Sequence, residues 1–107
     1  MKGIARLNDM CSGHGCWTPR SNIEGSPDVY CNNRPVHCET HSWEEHCCPV
    51  PILNPDTGET TIIMDCHNGV LEKGNPTVLV NWLQIGRCSD PIDCGSTVVT
   101  CSNDTFA

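Results

Sequence analysis

Apolar residues recur along this chain in short runs, and no segment of about a dozen residues keeps the 3.6-residue period of an amphipathic helix. β-Branched and aliphatic residues instead gather in four places that predict strands: Asp28–Cys31, Thr60–Met64, Thr77–Trp82 and Thr97–Cys101. Between them are spread eight prolines, nine glycines and many Asn, Asp, Ser and Thr, the residues of turns. One helical signal exists, the capping-box pattern of Ser42 and Glu45 in SWEEH (Ser42–His46), which predicts a single helical turn ahead of Pro49. The pattern is that of an all-β fold built from short strands and tight turns.

The strands repeat. GSPDVYCN (Gly25–Asn32) and GNPTVLVN (Gly74–Asn81) align without gaps at an offset of 49, sharing Gly, Pro, Val and Asn. A fainter third copy is CSNDTF (Cys101–Phe106), preceded by CGSTVVT much as Gly74 is preceded by CHNGVLEK. Each copy is too short to close a core alone, so the units must pack on one another. Three related units predict a pseudo-threefold object.

Composition adds a constraint. In 107 residues, read as a single domain over 1–107, only 37% are hydrophobic and 5% aromatic, a modest apolar burial to set against chain entropy. A covalent or metal cross-link is expected to help. Ten cysteines suggest a secreted disulfide scaffold, yet residues 1–20 hold no apolar run long enough for a signal peptide. In a chain that starts in a reducing cytosol, clustered Cys and His point toward metal. A net charge of −7 with six Lys plus Arg leaves no basic patch for a phosphate backbone, which argues against nucleic acid as a partner. The sequence also lacks the run of about 18 apolar residues that a spanning helix needs.

ARLNDMCSGHGCWTPR (Ala5–Arg20), GSPDVYCNNRPVHC (Gly25–Cys38), HSWEEHCCP (His41–Pro49), CHNGVLEKGNPTVLVN (Cys66–Asn81) and DPIDCGSTVV (Asp90–Val99) resemble, in content and order, the PAAR-repeat proteins that form the pointed tip of contractile injection machines. The eponymous Pro-Ala-Ala-Arg reads PVHC (Pro35–Cys38) and QIGR (Gln84–Arg87), and the Asn-Gly hairpin turns read Asn32-Asn33 and Asn81-Trp82. Asn tolerates the left-handed conformation such turns need, whereas Trp adopts it poorly.

The resemblance implies a small pseudo-threefold cone of short β-hairpins with a zinc ion near its vertex. It implies a broad base that caps a trimeric β-helical spike, of the valine-glycine repeat or phage central spike type. The part so described is non-enzymatic, monomeric on its own, touches the target membrane only in passing, and can carry effectors on its sides. It belongs to a phage tail tip in the virion, or to the bacterial cytoplasm before delivery by a type VI secretion apparatus. With the sequence ending at Ala107, no attached toxin domain is expected.

The family's zinc ligands, three histidines and one cysteine, match His14 in GHGC, His46 and Cys48 in HCCP, and His67 in CHNG. Four N or S donors satisfy a closed tetrahedral zinc site. Residues two apart share a face only on an extended chain, so His46 and Cys48 can reach one ion only if the chain is extended there. Pro49 pushes Cys48 into that geometry. If SWEEH continues as helix, Cys47 or another cysteine takes the fourth position. His37 and His41 are expected to be solvated or hydrogen-bonded side chains, and the three tryptophans packing residues. Cys31, Cys38, Cys88, Cys94 and Cys101 read as small buried hydrophobes at or beside repeat positions; disulfides are the rival reading, with Cys11–Cys16 a candidate bridge. Two other functions stay open: a small zinc hydrolase with His14 or His67 as base, although no H-E-x-x-H spacing is present, and a cysteine-rich secreted binding module.

Overall fold

Three stretches of backbone, one from each repeat, meet at a single point in the computed structural model, which describes all residues 1–107. The Ala5 N–H donates to Gly86 O (2.9 Å), the Gly86 N–H to His37 O (2.9 Å) and the His37 N–H to Ala5 O (3.0 Å), so the bonds close into a ring. Each of these residues is third in a PAAR-like tetrapeptide: PVHC, QIGR and a third copy, GIAR (Gly3–Arg6), which the sequence comparison missed. All three are buried, and their Cβ positions compete for one space. His37 fills it, Ala5 barely enters it, and a Cβ on Gly86 would lie 2.7 Å from His37 O and 2.8 Å from Leu71 Cδ2.

From that ring each unit takes the same steps. A tight turn follows, with left-handed backbone at Asn8 (φ 71°), Thr40 (φ 68°) and Ser89 (φ 72°). In two units an Arg–Asp pair closes the turn: the backbone N–H and guanidinium of Arg6 donate to Asp9, and those of Arg87 to Asp90. In the middle unit Cys38 and His41 replace both partners, and the Cys38 N–H donates to His41 Nδ1 at 2.9 Å. The departure PVHC is thus half of a paired exchange in which an imidazole nitrogen accepts where a carboxylate oxygen does elsewhere.

The chain then leaves the body, makes an excursion and returns beside itself through the bridges Met10↔Ser21, Ser42↔Val70 and Pro91↔Thr97. Each returning segment also pairs with the next unit (Asn22↔Trp43, Leu71↔Ile92) and the last with the first (Cys11↔Val98), which closes the barrel-like body. SWEEH forms no helical turn. Trp43 is held in its bridge, with its N–H donating to Gly69 O at 2.9 Å, and tertiary pairing overrides the local capping signal.

Below the ring come side-chain-capped turns and then hairpins. Ser26 Oγ accepts from the N–H groups of Asp28 and Val29, Ser102 Oγ from those of Asp104 and Thr105, and Asn75 Oδ1 from that of Thr77. The faint third copy therefore has the turn chemistry of the first two. Strand β1 (Tyr30–Cys31) pairs with β2 (Arg34–Pro35), and β5 (Asn75–Val80) with β6 (Leu83–Ile85). The third hairpin has no turn, because Lys2 and Ala107 exchange backbone hydrogen bonds across it. Asn81 (φ 52°) and Trp82 (φ 70°) take left-handed backbone as Asn32 (φ 53°) and Asn33 (φ 63°) do, so the tryptophan accepts the turn after all, with its side chain 90% exposed.

Two apolar layers flank the ring. Ile4, Val36, Ile85, Cys31 and Val80, with Ala107 against them, fill the hairpin side. Cys11, Trp43, Ile92, Leu71 and Val98 fill the excursion side, beside Ala5. Asn22 occupies the place of Leu71 and Val98 and is fully buried; its Oδ1 accepts from the Asn8 N–H and its Nδ2 donates to Arg6 O, so it leaves no polar atom unpaired.

The remaining ladder is the longest. Strand β3 (His46–Leu53) pairs with β4 (Thr60–His67) from His46↔His67 to Leu53↔Thr60. The β4 strand was legible in Thr60–Met64, whereas Pro49 and Pro51 hid β3. Thr97–Cys101 forms no ladder; its bridges are single ones at Thr97 and Val98. Outward of its first rungs the β3–β4 ribbon is exposed on both faces, and the molecule measures 56 × 24 × 21 Å. One hairpin is therefore long where all were expected to be short.

Two tests follow from the axis. Gly86→Ala overpacks the ring and should cost about 1–3 kcal/mol in chemical denaturation. Burial pushes the His37 imidazole down to about 4, although its Nδ1–H donates to Glu24 O at 2.8 Å. Folded His37 stays neutral where the unfolded residue takes up a proton, so its contribution is complete above about pH 6.5 and is lost as pH falls toward 4. The gap amounts to about 3 kcal/mol. His37→Gln should flatten the stability-versus-pH curve between pH 6.5 and 4; a variant as steep as the wild type would contradict the assignment.

Candidate metal centre

Each of the three excursions delivers donor atoms to one place. The first supplies His14, the second His46 and His67 from the facing root positions of β3 and β4, and the third Cys94. Their ligand atoms all lie within 4.8 Å of one another. Glycines shape the two short excursions. Gly13 (φ 69°) and Gly15 (φ 56°) let the chain fold back so that His14 and Trp17 exchange backbone hydrogen bonds of 2.9 Å, and a Cβ on Gly13 would meet Trp17 O at 2.6 Å. Gly95 (φ 106°) turns the chain beyond Cys94, with its N–H donating to Ile92 O.

The Nε2 atoms of the three imidazoles converge. His14 Nε2 is 2.9 Å from His67 Nε2, and His46 Nε2 is 2.7 Å from the same atom. The Nδ1 of His46 donates to Thr18 O at 2.9 Å, which places the proton of the neutral ring on Nδ1 and leaves Nε2 free to bind. Three imidazole nitrogens this close cannot all satisfy one another by hydrogen bonds, but one cation satisfies them together. Burial, and then the neighbouring His67 and His46, lower the pKa of His14 and favour the neutral, ligating form. Cys94 adds a free, half-buried thiol. The residues fit a tetrahedral ion with three nitrogen donors and one sulfur. Trp17 closes the outer wall: its ring stacks on His14 (5.1 Å between centroids, 23° between planes), lies 5.1 Å from His67, and its Nε1–H donates to Asp65 O.

A family model of the PAAR motif matches residues 13–100. The chain belongs to the PAAR-motif family. A comparison with curated proteins returns no match. Membership makes this a spike-tip-type protein of contractile injection systems, in a family whose role is structural.

The PAAR ligand set suggested by sequence and the cluster in the structure differ at one position. His14, His46 and His67 come together, but Cys48 does not join them. The chain is extended there, as the His46–Cys48 spacing required, yet Cys48 is two rungs farther out and forms a disulfide with Cys16. Cys47, its competitor, is joined to Cys66, and the cysteine beside the three imidazoles is Cys94. The signal that could have found it is the repeat itself: CGSTVVT belongs to a third unit, whose excursion should point where the other two point. The third disulfide is Cys88–Cys101, and Cys11 is a buried free thiol with no bond to Cys16. Cys31 and Cys38 are buried thiols at repeat positions; burial, and then Glu39, push Cys38 up to about 12, so it stays protonated. His37 and His41 lie in the core with hydrogen bonds to Glu24 O and from the Cys38 N–H. Trp17 exceeds the packing role expected of it.

Two substitutions separate the cysteines. Cys94→Ser should weaken metal binding at least tenfold in a chelator competition, whereas Cys48→Ser should leave stoichiometry and affinity unchanged. The opposite pattern would return the fourth position to Cys48.

Proposed function

We propose that this protein is the tip of the central spike of a contractile injection machine, seated on the blunt end of a trimeric β-helical spike and carried through the target envelope when the sheath contracts. One observation carries the reading. Tyr30, Leu79 and Phe106 occupy the same position in the three units, and they are 59%, 52% and 48% exposed. Their inward neighbours Cys31, Val80 and Ala107 belong to the core layer on the hairpin side. A single chain that offers the same apolar group three times, around a pseudo-threefold, suits a partner with three equivalent sites. The hairpin end is the base in this reading, and the open strand edges of a trimer are what it covers.

The ion proposed is zinc, held by His14, His46, His67 and Cys94, because three imidazoles and one thiolate suit a borderline cation without geometric demands of its own. Four protein donors leave no open position for a substrate water, which favours a structural role over hydrolysis. Asp93, the carboxylate nearest the cleft beside His67 and Cys94, is already accepting from the Val70 N–H. The disulfides suit a part that works beyond a reducing cytosol, whether in a virion or after delivery from a bacterial cytoplasm. A phage tail and a type VI apparatus both meet that description. Effectors are further candidate partners, while the acidic surface disfavours nucleic acid.

The purified chain should contain one zinc by elemental analysis. Mixed with a trimeric spike fragment, it should bind one chain per trimer. The triple variant Tyr30→Ser, Leu79→Ser, Phe106→Ser should lose at least tenfold in that binding with an unchanged melting temperature, and unaltered binding would overturn the proposed base.

A further inference from the structure

Cys47 and Cys66 are directly opposed on β3 and β4, with Cα atoms 4.1 Å apart, the spacing of a pair without ladder hydrogen bonds between its members. They are one residue along from His46 and His67. Successive side chains of a strand point to opposite faces, so these sulfurs face away from the metal centre. A third donor joins them: ligand atoms of Glu45, Cys47 and Cys66 lie within 4.8 Å of one another, and a Glu45 carboxylate oxygen is 3.7 Å from Cys47 Sγ. Sulfur in a disulfide has no proton to give that oxygen. No Lys or Arg pairs with Glu45 either: the nearby Arg20 guanidinium donates to the Glu45 backbone carbonyl, to Thr18 Oγ1 and to Pro19 O. Neither of the other two disulfides has a third ligating group within the same distance. Glu45 and Cys66 are exposed and Cys47 half-buried, so reductant and solute can both reach them.

We propose that Glu45, Cys47 and Cys66 form a second, redox-gated site for a thiophilic divalent cation, closed while the disulfide stands and open once it is reduced. A dithiol reductant passes two electrons and two protons to the sulfurs; the S–S bond breaks and the reductant becomes the disulfide. The cation then displaces the two thiol protons to solvent and binds two thiolates and the carboxylate, with water completing its shell. The two sites lie on opposite faces of the ribbon root and share no ligand.

Cadmium is the probe, titrated into the full chain with and without a phosphine reductant, and read by elemental analysis after desalting and by the thiolate-to-cadmium absorption. The untreated chain should hold one ion and the reduced chain two. Cys47→Ser with Cys66→Ser should hold one under both conditions. The variant Cys47→His with Cys66→His should hold two without reductant, and so tests the site with the other disulfides intact even if reduction unfolds the wild type. A reduced wild type that folds and stays at one ion, a second ion surviving in the serine variant, or a histidine variant that stays at one would each overturn the proposal. An untreated chain that binds none would count against the apical centre alone, since the second site is read from the difference between paired samples.

Discussion

A ring of three backbone hydrogen bonds on an axis has no room for three side chains. That limit governs the rest of the body. The backbones of the three units are nearly equivalent, so whatever bulk one places on the axis the others must give up: His37 is matched by Ala5 and Gly86. One layer outward the same unit supplies Trp43 where the others supply Cys11 and Ile92. At these two positions the middle unit carries the largest residue and its neighbours smaller ones, which is how a symmetric backbone reaches close packing with an unsymmetric sequence. The Cys38–His41 exchange belongs to that unit too. It dispenses with the Arg–Asp ion pair but keeps an acceptor on the turn N–H, the one requirement the left-handed turn imposes.

What could be read from the sequence was what is decided locally. The Ser-Pro-Asp and Asn-Pro-Thr turns repeat because each satisfies its own amides with its own side chain, so two copies and a faint third stood out in GSPDVYCN, GNPTVLVN and CSNDTF. GIAR did not, because the strand that pairs with it lies at the opposite end of the chain and no hairpin turn announces it. β3 was hidden because Pro49 and Pro51 dilute its strand signal; in the structure they lie on a strand of a two-stranded ribbon, where a proline's missing N–H costs no interior ladder bond. The SWEEH turn failed for the converse reason, a good local signal outweighed by a bridge to Asn22 and a backbone hydrogen bond to Gly69 in distant segments.

The metal centre divides in the same way. Three of the residues that the motif singles out, His14, His46 and His67, come together in the structure, and the chain is extended at His46–Cys48 as Pro49 favours. Cys48 does not join them, since alternation says which side chains share a face but not which of them meets a partner first. Cys48 meets Cys16, and Cys94 arrives from a unit whose membership in the repeat was only faintly visible.

A strict threefold would bring three identical donors to the axis, one short of a tetrahedron. The excursions here are unequal, and the inequality supplies the missing ligand: two short loops give one donor each, while the third is a hairpin whose two strands give His46 and His67. The same arrangement bears on the ribbon. A two-stranded hairpin alone in water is marginal, and this one carries exposed Ile52, Leu53, Ile62, Ile63 and Met64 with no body beneath them. Its order must come from its root, where an ion would bind on one face and Cys47–Cys66 joins the strands on the other. The donors that would complete the centre are therefore also the anchors of the longest projection in the molecule, so loss of a bound ion would loosen the ribbon before it reached the hydrogen-bonded ring.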